Sequence, residues 1–67
     1  MATIDVVIYR AGDFWTARAL NVEVSSFGSS PEEARASITE ALELYFEDEE
    51  LSDVTELHQP RLETIVV

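Results

Sequence analysis

Ser30-Pro31-Glu32-Glu33 constrains the architecture of this chain more than any other four residues. A serine hydroxyl at the N-cap accepts a backbone N–H that the first turn of a helix leaves unpaired. Proline at the first helical position has its φ preset and forfeits no donor that the helix needs. A glutamate three residues after the cap completes a capping box, and both glutamates sit at the positive end of the helix dipole. A helix therefore begins at Pro31. Ala34, Ile38, Ala41 and Tyr45 fall on one stripe at helical spacing, flanked by Leu42, while Glu32, Glu40, Glu43 and Glu47 lie on the far side. The spacing predicts a helix from Pro31 to about Phe46, apolar on one face and acidic on the other.

The residues before this start signal read as strands. Thr3 to Tyr9 alternates and is rich in β-branched residues, Ala11-Gly12-Asp13 marks a tight turn, and Phe14 to Leu20 reads as the returning strand. A two-residue loop at Ala11-Gly12 pairs Ile8 with Trp15, Val6 with Ala17 and Ile4 with Ala19, all on one face, and sets Asp5 opposite Arg18. Val22 to Phe27 reads as a shorter third strand, with Val22 and Val24 on one side. Past the helix, Glu47 to Glu50 opposes the dipole, so an acidic linker is expected over 47–59. Pro60 blocks further helix, and Arg61 to Val67 reads as a last strand.

The expectation is a single α+β domain over 1–67, ordered β-β-β-α-β. Its four-stranded mixed sheet carries one helix packed on one face, and a right-handed crossover brings the last strand parallel to a neighbour. One helix covers one face only. Val7, Tyr9, Phe14 and Leu20 fall on the other, and exposed apolar surface of that kind marks an interface, so a homodimer or higher homo-oligomer is expected through them.

Charge narrows the function. The 67 residues hold 14 acids against 4 arginines and no lysine, a net charge of −10. That sign repels phosphates, which argues against direct nucleic-acid binding, and it attracts and steers basic proteins. Cysteine is absent, so neither disulfides nor thiolate metal sites are expected, which suits a reducing, cytoplasmic setting. Asp5 and Arg10 interrupt the first apolar run, so no signal peptide is read, and no apolar stretch reaches the roughly 20 residues of a membrane helix.

The run Gly28-Ser29-Ser30-Pro31-Glu32-Glu33-Ala34, then Ile38, Ala41-Leu42-Glu43 and Leu44-Tyr45, resembles the HicB-type antitoxins and their stand-alone HicB-like relatives. Gly28, Ser29, Ser30, Glu32, Glu33, Ala34, Ala41, Leu42 and Tyr45 match positions of that pattern, within residues 3–47. Where the family often has a Pro-Gly-Cys-like stretch before the glycine, this chain reads Val22-Glu23-Val24-Ser25-Ser26. The resemblance implies a truncated ribonuclease-H-like β-β-β-α-β fold and self-association. It also implies neutralisation of a small basic HicA-type toxin that cleaves messenger RNA, by covering its RNA site. Many family members carry a DNA-binding module after this domain; none is read within 1–67.

On this reading the toxin-binding surface combines the acidic helix face with the acid run: Glu40, Glu43, Glu47, Asp48, Glu49, Glu50 and Asp53. The first alternative is a stand-alone homo-oligomeric HicB-like domain without a toxin. A weaker one is a residual metal-dependent nuclease, with Asp5 on a strand and Glu40 or Glu43 as helix partners. Such chemistry needs carboxylates converging on two metal ions about 4 Å apart, whereas those glutamates fall on the solvent face and Asp5 is expected to pair with Arg18. His58 stands alone in the linker, with no nucleophile or orienting partner suggested. The acids at 48–53 lack EF-hand spacing and its central glycine. No catalytic, cofactor or metal residue is therefore assigned, and a non-enzymatic protein-binding role is expected.

Overall fold

A computed structural model describes residues 3–47 and 54–67. Strands β1 (Val6–Ala11), β2 (Phe14–Ala19) and β3 (Ser25–Gly28) precede helix α1 (Pro31–Tyr45). The strands form one antiparallel sheet in the order β1-β2-β3. This corrects the expected four-stranded mixed sheet: the described residues hold three strands, all antiparallel, and 61–67 form none. Strand-like composition describes side chains that suit a pleated, half-buried surface, and without a neighbouring strand it does not make one.

The hairpin turns on Gly12-Asp13, with Ala11 opposite Phe14. Gly12 has φ 69°, and Gln59 is the only described non-glycine residue with positive φ. Positive φ at the first central residue alone is the type II′ pattern, whose twist matches that of the strands. The expected loop at Ala11-Gly12 would have put an alanine there, against its Cβ. The register moves accordingly: Val6 faces Ala19, Ile8 faces Ala17 and Arg10 faces Trp15. A slip by an even number of residues keeps every side chain on its face, so Val6, Ile8, Ala17 and Ala19 still share one. The partner of Arg18 does change, from Asp5 to Val7.

The third strand starts later than expected because Val22 and Val24 form a tight loop. The Val24 N–H donates to the Val22 carbonyl (3.0 Å), and the Ala19 N–H donates to the Val24 carbonyl (2.9 Å). Both valines still pack against the core. Asn21, inside this loop, accepts the Asp5 N–H on Oδ1 (2.8 Å) and donates from Nδ2 to the Thr55 carbonyl (2.8 Å). One amide thereby ties the start of β1, the β2–β3 loop and the segment after the helix.

At the helix start, Ser30 Oγ accepts the Glu33 N–H at 3.1 Å. The Glu33 carboxylate reaches one residue past the usual capping-box partner, accepting the Ser29 N–H (3.1 Å) and the Ser29 hydroxyl (3.0 Å). Among the described residues Ala17, Ala19, Ala34 and Ile38 make the buried core, and Ile38 is the only large side chain of these residues that is fully enclosed. Three alanines let the helix sit close to the sheet, but they supply little apolar area. A chain of this size is marginal even with a full core.

Candidate functional site

No interior site announces itself: among the described residues every buried side-chain nitrogen or oxygen has a hydrogen-bond partner. The chemistry available to this chain is on its surface, which presents two contrasting regions.

The first is the outer face of α1. Helical periodicity and the commitment of Ala34 and Ile38 to the core turn Glu40 and Glu43 outward, Glu47 follows in the turn just after the helix, and all three are exposed. The last helical turn contains no basic residue. Among the described residues the only ion pair joins Arg61 to Glu63, so these three carboxylates face solvent uncompensated. Charges so placed create a field that acts on approaching molecules. Asp48, Glu49, Glu50 and Asp53, assigned to the same surface, lie outside the described residues.

The second is the sheet face turned away from α1. Tyr9, Phe14 and Leu20 are 39%, 61% and 47% exposed, and Val7 is half-buried. The sequence reading missed Phe27. It is 64% exposed and lies opposite Thr16, which lies opposite Tyr9, so the three form one cross-strand row. Thr16, between the two aromatic residues, is only 7% exposed. The β2–β3 register was the signal that would have found Phe27. Trp15, expected in the core beside Ile8, instead stands between Arg10 and Gly28, half-buried against the core.

The carboxylates weighed for metal chemistry are not brought together. Asp5 sits at the start of β1, held through its backbone by Leu20 and Asn21. Glu40 and Glu43 are on the exposed helix face. No group of three His, Asp or Glu side chains among the described residues is placed to hold a metal ion. His58 is exposed. No helix among the described residues is long and apolar enough to cross a membrane.

Compared with known protein families, curated proteins and solved structures, the chain has no match. The resemblance to HicB-type antitoxins thus rests on the quoted residues alone.

Proposed function

We propose that this chain is a HicB-like, antitoxin-type protein-binding domain that neutralises a small basic RNA-cleaving toxin by covering its RNA site. The observation that carries the reading is the row of uncompensated carboxylates at Glu40, Glu43 and Glu47, on a chain of net charge −10. Arginines and lysines that hold RNA phosphates on a toxin also attract a carboxylate row, and complementary charge speeds encounter and fixes orientation. The helix supplies a rigid base, since its other face is held by Ile38 and Ala34. The motif from Gly28 to Tyr45 supports the same reading by resemblance.

The test is RNA cleavage by a small basic HicA-type toxin, taken from the neighbouring gene if that gene encodes one, with and without equimolar protein; a neighbouring gene that encodes no such protein counts against the reading. Cleavage should stop. The triple variant Glu40→Lys, Glu43→Lys, Glu47→Lys should slow association at least about tenfold and flatten its dependence on salt. Undiminished cleavage at equimolar protein sinks the reading. The open sheet face favours a second reading, a homo-oligomeric domain without a toxin. Retention of a single oligomeric species with no toxin bound supports that one.

A further inference from the structure

Residues 61–67 have the β-branched, apolar composition of a strand, and among the described residues they pair with none. The Arg61 Nε donates to Glu63 Oε2 at 2.8 Å, and the same two side chains form an ion pair. Side chains two residues apart share a face when the backbone is extended and do not when it is helical. In an added strand, Leu62, Thr64 and Val66 would lie on the opposite side from Arg61 and Glu63. Leu62, Ile65 and Val66 are between 81% and 92% exposed. Among the described residues, none of 61–67 makes a backbone–backbone hydrogen bond. The radius of gyration, 12.9 Å, exceeds the about 11 Å of a compact domain this long, as a projecting segment requires.

The sheet has a matching vacancy at β1. The Leu20 N–H donates to the Asp5 carbonyl, so by antiparallel alternation the backbone groups of Val6, Ile8 and Arg10 point away from β2, to the free edge. Beside that edge a cleft opens between β1 and the helix, lined by the apolar Ile4, Val6, Ile8, Ile38 and Leu42 and by Asp5, Arg35 and Thr39. Of the apolar residues, all but Ile38 remain half-buried. The opposite edge, β3, is shorter, and the helix closes over its end at Gly28.

We infer that residues 61–67 of a second copy of this chain add as a strand along the free edge of β1, with Leu62 and Val66 turned into the cleft. The exchange is reciprocal, as two-fold symmetry requires. The occupant is another copy because the chain's own segment reaches the edge and then leaves it. Pro60, Arg61 and Leu62 share a depression with Asp5, Val7 and Leu20, whereas Ile65 and Val66 stand clear in solvent. Main-chain pairing supplies the attraction and alternate side chains supply the fit. The chain itself contributes three strands; the added one belongs to the other molecule. This inference is independent of the toxin reading.

Sedimentation of the full chain over a range of concentrations, with amide hydrogen exchange on the same samples, tests it. A dimer is expected, with the amides of Val6, Ile8 and Arg10 exchanging at least about tenfold more slowly than in the monomer. Because each copy carries the same negative charge, this dimer should tighten as salt rises, whereas binding to a basic toxin should weaken. The double variant Thr64→Pro, Ile65→Pro removes a ladder donor in either register of the added strand. It should sediment as a monomer with fast exchange at those three amides, while the bonds between β1 and β2 keep their protection. A wild-type monomer overturns the inference, whether those amides are exposed or protected independently of concentration. So does a dimer that survives the proline pair but dissociates with Phe14→Ser, which assigns the contact to the open sheet face.

Discussion

The junction of β3 with α1 and the free edge of β1 lie at opposite sides of one small sheet, and they are packed in opposite ways. At the junction, a Cβ added to Gly28 would stand 2.4 Å from the Ala34 nitrogen and 2.8 Å from the Glu33 carbonyl carbon. Nothing but a glycine lets the helix approach that closely. At the β1 edge, Ile4, Val6 and Ile8 meet Ile38 and Leu42 across a cleft that leaves most of them half-buried. The alanines of β2 and the first turn of α1 draw the helix towards β2 and β3, and the same approach uncovers β1. Closing one side of a thin core opens the other, and the open side is where a further element gains most by docking.

Gly28→Ala should cost about 3 kcal/mol in urea unfolding, because the crowding atoms are backbone and cannot move aside as a side chain would. A loss under about 1 kcal/mol would mean that the helix slides on the sheet and that the junction is no tighter than the edge. Gly12→Ala separates crowding from backbone conformation. Nothing lies within 4 Å of a Cβ there, yet φ is positive. Its cost, about 1–2 kcal/mol by the same measurement, is conformational alone. Ser30→Ala removes the hydroxyl that caps α1 beside the junction and should cost about 1 kcal/mol. If Ser30→Ala is neutral, the Glu33 bonds to Ser29 suffice to hold the helix start, and the junction owes its order to packing.

What the sequence made legible follows from range. The helix start depends on four consecutive residues, and the observed cap is the expected one, displaced only in the arm that Glu33 extends to Ser29. The outward placement of Glu40 and Glu43 follows from period alone. The hairpin was legible as a hairpin, but its register hinged on which residue takes positive φ, and Gly12 rather than Ala11 decides that. Asn21 was invisible because its partner, Thr55, is 34 residues away. Val22 to Val24 reads as strand by composition, yet short local hydrogen bonds claim its backbone. The last segment shows the limit most clearly. Leu62, Ile65 and Val66 have strand character, and the described residues of this one chain provide no edge that uses it.

On the sheet face away from the helix, Phe14 and Phe27 are more than half exposed, so replacing either by serine removes little buried area. If solvent covers that face, Phe14→Ser and Phe27→Ser each change stability by no more than about 0.5 kcal/mol, at every protein concentration. If another molecule covers it, the loss grows with concentration, because association adds to apparent stability by mass action. Thermal unfolding at two concentrations about a hundredfold apart distinguishes these cases. A concentration-independent small loss leaves the β1 edge as the docking surface that matters. A concentration-dependent loss makes the aromatic face of Tyr9, Phe14 and Phe27 an interface in its own right, and the asymmetry between junction and edge then accounts for only part of the surface this domain leaves uncovered.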